Sequence, residues 1–514
     1  MANSIYPPYP PPLTAEQTEY LFTTLKDWTI AHGLAVRPAP GFVSKEQDPS
    51  GVLATTAPVT LFPSLFPRSC FDEALSIQEL YNEFYSRVAR DERWLEGIVN
   101  ELIGVDDFIA NLWRIHLEVK REGYVQDLSL GLFRSDYMVH INDEGSDKKL
   151  QIKQVEFNTI ASSFGGLAWE VSTLHKYLLS VDAYPGGPKT VPMHGNLATS
   201  NSVPGLAAGL AVAHKTYEPS NEFNRLCVIF LVQDPERNVF DQRHLEYALL
   251  AQHGIRSFRL PWQRILQDTE MTAKRTLVYR PPHLPDLPCE VSTIYFRAGY
   301  SPDEYKSEQD WTARLHLERS RAIKCPTVLT QLAGCKKVQQ VLATPGKPPR
   351  RFMCDGERLA KLMQTFMPMY PMDDGEAGQE GKRLALDPES ANRYVLKPQR
   401  EGGGNNVYRK KIPEFLKSIP ESHWPAWILM EMIEPPALRN AILRNGEIQE
   451  GGVIGELGVY GACLWRSGTG EEGQGEILRN FEAGYLLRTK GDQSEEGGVA
   501  AGFGAVDSCC LVDL

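Results

Sequence analysis

The run Leu226-Cys-Val-Ile-Phe-Leu-Val232 constrains the fold more than any other stretch of this chain. A strand that is apolar on both faces must be covered on both, and such strands belong to sheets flanked by helices. Phe240 to Gln252 reads as a helix, and Ser292-Thr-Ile-Tyr-Phe-Arg297 as a second strand of the same kind. Strand, helix and strand in that order predict an α/β unit of roughly 110 residues, near 224–334, inserted in a longer chain. At 514 residues the chain exceeds one compact core, so two or three domains are expected.

A hydrophobic content of 42% with 23% charged residues is that of a soluble globular protein. The formal net charge of −11 argues against a nucleic-acid or membrane-surface partner, since both demand a basic face. Nine scattered cysteines, with no C-x-x-C and no zinc-like spacing, predict a reducing compartment and no disulfide framework. The opening residues lack the basic and apolar regions of a signal peptide, and the longest apolar runs are too short for a bilayer. A cytoplasmic location is therefore expected.

Thr14 and Gln17 stand at capping-box spacing ahead of Leu21, Leu25 and Trp28, predicting an amphipathic helix that ends at Gly33. Ser76 and Glu79 are read as the start of a second helical region reaching Ile115. Pro345–Arg351 and Met372–Lys382 are rich in proline, glycine and charge and are expected to be exposed loops. Trp427–Met430 is read as a strand, and Glu447–Trp465 as a β-rich tail.

Candidate chemistry is densest in Lys397-Pro-Gln-Arg-Glu-Gly-Gly-Gly-Asn-Asn-Val-Tyr408, which follows a predicted strand, Arg393–Leu396. Consecutive glycines let backbone N–H groups converge on polyanionic oxygen, Lys397 can meet phosphate, and Glu401 can hold a divalent cation. A plain hairpin turn is the alternative reading. In Gln151–Asn158, Ile152, Gln154, Glu156 and Asn158 alternate with Lys153, Val155 and Phe157, so Glu156 and Asn158 share a strand face and offer two further oxygens, unless that face is merely solvated. Arg134, Lys336, Arg488 and Lys490 lie beside turn or strand-end signals; each is individually compatible with a surface charge, and Arg488 and Lys490 again share a face. No G-x-S-x-G, P-loop, H-E-x-x-H or protein-kinase signature is present.

These segments, taken in order, resemble the eukaryotic glutathione synthetases over essentially the whole chain. The matching blocks include Arg134–Met138, Glu156–Ile160, Glu236–Gln242, Tyr295–Arg297, Gln331–Gly334, Lys336–Gln340, Lys397–Tyr408, Leu429–Glu431, Ile433–Pro435, Glu456–Gly458, Leu486–Lys490 and Gly497–Gly502. The resemblance implies an α/β (α+β) ATP-grasp fold: an N-terminal part of the core at 1–223, the inserted substrate domain at 224–334, and core and lid at 335–514, with the lid at about 369–451. It also implies a homodimer that uses Mg2+ and ATP to join γ-glutamylcysteine to glycine through an acyl phosphate.

Carried over by motif, Glu156, Asn158 and Glu401 are implied Mg2+ ligands. Lys336, Lys397 and Lys490 are implied phosphate contacts, with Gly402, Gly403, Gly404, Asn405 and Asn406 as the cradle. Met430, Glu431, Met432 and Ile433 resemble an adenine edge, and Tyr408, Glu456 and Glu496 complete the nucleotide site. The dipeptide falls to Arg134, Ile160, Ala161, Ser162, Ser163, Glu236, Arg237, Asn238, Gln242, Arg297 and Tyr300. Arg488, Val499 and Ala500 face the acyl phosphate and glycine, and Arg488, Lys336 and Lys397 are the implied catalytic groups. Ala161, Ala298 and Glu496 depart from serine, aspartate and aspartate frequent in the family. The alternatives are the same ligation with another acceptor amino acid, or a catalytically silent nucleotide- or thiol-binding relative.

Overall fold

A computed structural model describes residues 5–142, 149–185, 194–399, 406–468, 475–492 and 504–514. Its frame is a mixed 13-stranded sheet. Leu128–Asn142 lies centrally, antiparallel to Lys149–Asn158 and to Glu447–Ser467, which pairs in turn with Gly475–Gly491. On the other side the sheet continues through a single parallel bridge, Lys324 with Ser129, into strands Ile323–Cys325, Cys289–Phe296 and Leu226–Val232. A separate antiparallel sheet joins Met369–Pro371, Trp427–Glu431, Tyr394–Pro398 and Val407–Tyr408.

Helix Arg68–Arg90 covers one face of the large sheet, where Phe133, Tyr137, Val459 and Tyr485 join its Tyr81, Phe84 and Tyr85 in one apolar core. Helices Gly165–Ser180 and Ser202–Thr216 cover the other, over Leu130, Leu132, Ala462, Leu464 and Leu486. Along this second face the rows change from apolar to polar: Leu130 and Leu132 give way to Arg134 and Asp136, and Ala462 to Tyr460, Gly458 and Glu456. The site begins where the apolar rows end.

The Thr14 capping box forms, and its helix runs Ala15–Ala31. The doubly buried strand and its helix appear as Leu226–Val232 and Val239–His253. Three local expectations are corrected. The second helix starts at Arg68, so Ser76 is mid-helix and its hydroxyl donates to the carbonyl of Glu73, at 2.9 Å. Residues 376–382 belong to helix Glu376–Leu386: Gly378 and Gly381 mark close packing, since a Cβ there would meet the carbonyl oxygens of Asp373 and Pro371 at 2.3 and 2.5 Å. Third, Arg134 lies in mid-strand rather than at a strand end.

Candidate functional site

A break in strand alternation shapes the site. Glu156 lies opposite Asp136, but the next pair is Gln154 with Tyr137, so Val155 is bulged out of the ladder. Gln154 therefore turns to the buried face, where its amide donates to Ser135 Oγ at 2.8 Å, while Glu156 and Asn158 face the cleft. The expected continuous row from Ile152 to Asn158 is thus divided, and Glu156 and Asn158 stay together on the cleft side.

Neighbouring strands bring their charged groups to the same face. Arg134 pairs in register with Asn158 and Tyr460, Asp136 with Glu156 and Gly458, and Glu456 with Arg488. Arg134 makes a bidentate contact with Asp136, at 2.6 and 2.8 Å. Arg488 donates to Asp136 at 2.8 Å and also pairs with Glu456. The amide nitrogen of Asn158 donates to Asp136 Oδ2 at 2.9 Å and to the Arg134 carbonyl at 3.2 Å, leaving its Oδ1 as the remaining acceptor. Burial opposes the charge of Arg134 and Arg488, but Asp136, and Glu456 beside Arg488, hold both firmly protonated.

Opposite this face stand two lysines. Lys336, in the first turn of helix Lys336–Leu342, pairs with the Glu156 carboxylate, and Lys397 Nζ reaches the Val155 carbonyl at 3.3 Å. Burial would push the Glu156 carboxyl up, but Lys336 and Lys397 overcome it and hold it well below the usual carboxylate range.

The far end is built around the loop 160–164. Ala161 and Phe164 adopt left-handed backbone, with φ of 52° and 73°, a conformation that costs non-glycine residues energy and marks an over-determined segment. It is fixed from three sides. Arg134 and Tyr460 donate to the Ser163 carbonyl at 3.2 and 2.5 Å. Arg297 donates to the Ser162 carbonyl at 3.2 Å and to Ser163 Oγ at 2.8 Å. Asp241 accepts the backbone N–H groups of Phe164 and Gly166 at 2.9 and 2.7 Å. Glu236 accepts from the Asn238 backbone and the Gln242 amide at 2.8 and 2.7 Å. Ser162 Oγ, Asn238 Oδ1, Gln242 Oε1 and Arg297 Nε are buried without a protein partner among the described residues, so this end is lined with unspent polar groups.

Arg134, Glu156, Asn158, Glu456, Arg488, Lys336 and Lys397, the loop residues 161–164, and Glu236, Asn238, Gln242 and Arg297 line one cleft of about 1570 Å³, with Asp136 and Asp241 buried behind them. Single-ligand pockets are typically about 300–1,000 Å³, so there is room for more than one substrate. Every predicted site residue within the described part of the chain lines it: beyond those above, Ile160, Arg237, Tyr300, Asn406, Tyr408, Met430, Glu431, Met432, Ile433 and Lys490. The predicted Glu401, Gly402, Gly403, Gly404, Asn405, Glu496, Val499 and Ala500 lie outside the described residues. On the expected adenine edge, the N–H groups of Glu431 and Met432 already donate to the Pro368 and Arg393 carbonyls, at 3.0 and 2.8 Å.

Sequence reasoning missed the wall formed by segment 37–51, including Ser44, Lys45 and Asp48, and the lining residues Gln233, Arg409 and Asp492. It also missed the two buried carboxylates Asp136 and Asp241, although both lie inside blocks already singled out.

Residues 15–511 match the family model described as eukaryotic glutathione synthase, ATP binding domain. The chain is 37% identical to the glutathione synthetase large chain of Schizosaccharomyces pombe over 96% of its own length and 98% of that protein. It is 38% identical to the human glutathione synthetase over 96% and 97% of the two chains, and 35% identical to that of Dictyostelium discoideum over 94% and 97%. In fold it resembles a glutathione synthetase-like effector from Globodera pallida, solved in its apo form, with a TM-score of 0.72 and 19% identity over 98% of both chains.

Proposed function

The chain belongs to the eukaryotic glutathione synthase family and is an ATP-dependent ligase that makes glutathione; on that premise we propose how its cleft divides the work. The dipeptide γ-glutamylcysteine occupies the end lined by Arg134, Ser162, Ser163, Glu236, Asn238, Gln242, Arg297 and Tyr300. ATP lies between the large sheet and the smaller sheet carrying Lys397 and Met430–Ile433. Its base is read by backbone groups at the Glu431–Ile433 end of the strand Trp427–Glu431. We assign the ATP-grasp architecture, with the smaller sheet as part of a lid, to this arrangement, and the divisions 1–223, 224–334 and 335–514 to its domains.

The donor set near the phosphates suits a hard cation. Glu156 supplies a carboxylate and Asn158 an amide oxygen, and Mg2+ is typically held by one or two carboxylates with phosphate and water completing the shell. Glu401 is the proposed third ligand. When bound, Mg2+ neutralises phosphate charge.

The chain's own residues do the rest. Lys336, Lys397 and Lys490 hold the phosphates in line, and Arg134 and Arg297 hold the dipeptide. A carboxylate oxygen of the dipeptide then attacks the γ-phosphorus and ADP leaves, with Arg488 stabilising charge on the transferred group. The glycine amine attacks the resulting acyl carbon, and phosphate departs with the carboxylate's oxygen. The observation that carries this reading is the convergence on one sheet face of Glu156, Asn158, Arg134 and Arg488, opposite Lys336 and Lys397.

The test supplies purified protein with ATP, Mg2+ and γ-glutamylcysteine, and glycine, alanine or serine in turn. Glutathione should form with glycine, with one ADP per peptide; ADP without peptide would contradict the assignment, and equal rates with alanine would contradict glycine specificity. We further propose a homodimer, checked by light scattering, and a cytoplasmic location, consistent with nine cysteines outside any disulfide.

A further inference from the structure

Asp136 was not singled out by its sequence context, yet side chains of three site residues, Arg134, Arg488 and Asn158, converge on it. Its carboxylate is fully buried and is not among the groups that line the cleft. It accepts from Arg134 Nε and Nη2 at 2.6 and 2.8 Å, from Arg488 Nη2 at 2.8 Å and from Asn158 Nδ2 at 2.9 Å. These partners sit on three strands, Leu128–Asn142, Gly475–Gly491 and Lys149–Asn158. Beside it, Gly458 makes the space: a Cβ there would stand 2.8 Å from both Arg134 Cδ and Asp136 Oδ1.

Two buried guanidinium groups side by side repel unless an anion lies between them, and a bidentate carboxylate also fixes the plane of the guanidinium it binds. Asp136 is that anion. Its Oδ2 also takes the Asn158 amide nitrogen, which settles which end of that amide is offered to the cleft. We propose that Asp136 is a positioning residue for the ligation: it touches no substrate, but holds Arg134, Arg488 and Asn158 in the orientations that the dipeptide, the transferred phosphoryl group and the metal require. This rests on the site assignment made above.

The test compares the parent with Asp136→Asn, Arg134→Ala and the exchange variant D136N/N158D, which returns the lost carboxylate to the neighbouring position at unchanged total charge. Calorimetry with γ-glutamylcysteine alone gives the dipeptide Kd, turnover gives kcat, and scanning calorimetry gives Tm. D136N is expected to lose about 10–100-fold in kcat and to weaken dipeptide binding, as removal of supporting hydrogen bonds around a site typically does. The exchange variant should recover at least part of the loss in dipeptide affinity; its kcat is not compared, because Asn158 is itself assigned to the metal. D136N with a lowered Tm but parental Kd and kcat would overturn the proposal, and so would an exchange variant that binds the dipeptide no better than D136N. Should D136N fail to fold, the exchange variant set against the parent carries the test: dipeptide binding lost in it would contradict the proposal. Arg134→Ala separates the two levels, because unchanged dipeptide affinity in that variant removes the site assignment itself.

Discussion

Lys336 and Glu156 form an ion pair across the cleft, joining the first turn of helix Lys336–Leu342 to the strand Lys149–Asn158. Their pairing has a defined pH signature. Because Lys336 and Lys397 outweigh burial, the folded carboxyl lies below its unfolded value of about 4.3. The stabilisation is therefore complete above that value and is lost as pH falls through the depressed one. Scanning calorimetry should show Glu156→Gln nearest to the parent at the lowest pH reached, diverging up to about pH 5 and then running parallel to pH 8.

Glu170 should behave in the opposite sense. Burial pushes its carboxyl up to about 7, with His244 Nδ1 at 3.7 Å. A raised folded value leaves the stability whole below the unfolded value of about 4.3, and the contribution is lost progressively as pH rises from there through about 7. Glu170→Gln is expected to raise the Tm at pH 8 relative to the parent and to give no gain at pH 4, below the unfolded value of about 4.3; a gain of equal size at both would contradict the assignment.

Gly458→Ala tests how tightly the arginine–aspartate pair is packed. The added methyl would lie 2.8 Å from Arg134 Cδ and Asp136 Oδ1, neither of which has room to retreat in a buried row. Overpacking of this kind costs about 1–3 kcal/mol. The expected result in urea denaturation is a loss of that order, with weakened binding of γ-glutamylcysteine and little change in ATP affinity.

Arg488→Lys keeps the charge but not the fork. The guanidinium touches Asp136 and Glu456 at once, and a single ammonium cannot reproduce that orientation. Loss of one oriented group stabilising transition-state charge typically costs about 10²–10³ in kcat. Steady-state kinetics should show a fall in that range with the KM for ATP changed little.

Local pattern exposed much of this molecule and concealed the rest for definable reasons. The capped helix at Thr14, the doubly buried strand at Leu226 and the shared face of Glu156 and Asn158 were legible because each is set by neighbours within a few positions. Gln154 was misplaced because a bulge at Val155 depends on the register of the partner strand, which spacing alone does not encode. The helix over 376–386 was hidden because Gly378 and Gly381, which suggest a loop, serve close packing against Asp373 and Pro371. Asp136 and Asp241 looked unremarkable because, beside near neighbours such as Arg134 and Asn238, the partners that tie them into the site, Arg488 and the loop at Phe164, lie far away in the chain. The wall at 37–51 carries no motif and becomes part of the site only through folding, where Arg37 N–H donates to the Arg237 carbonyl at 2.9 Å.

The central claim is that this cleft activates the dipeptide carboxylate as an acyl phosphate before glycine attacks. It is tested most directly by supplying γ-glutamylcysteine labelled with 18O in its cysteinyl carboxylate, with unlabelled ATP, water and glycine, and analysing the released phosphate by mass spectrometry. One 18O atom in each phosphate, matched by loss of one from the peptide product, is the predicted result. Unlabelled phosphate accompanying normal glutathione formation would contradict the account.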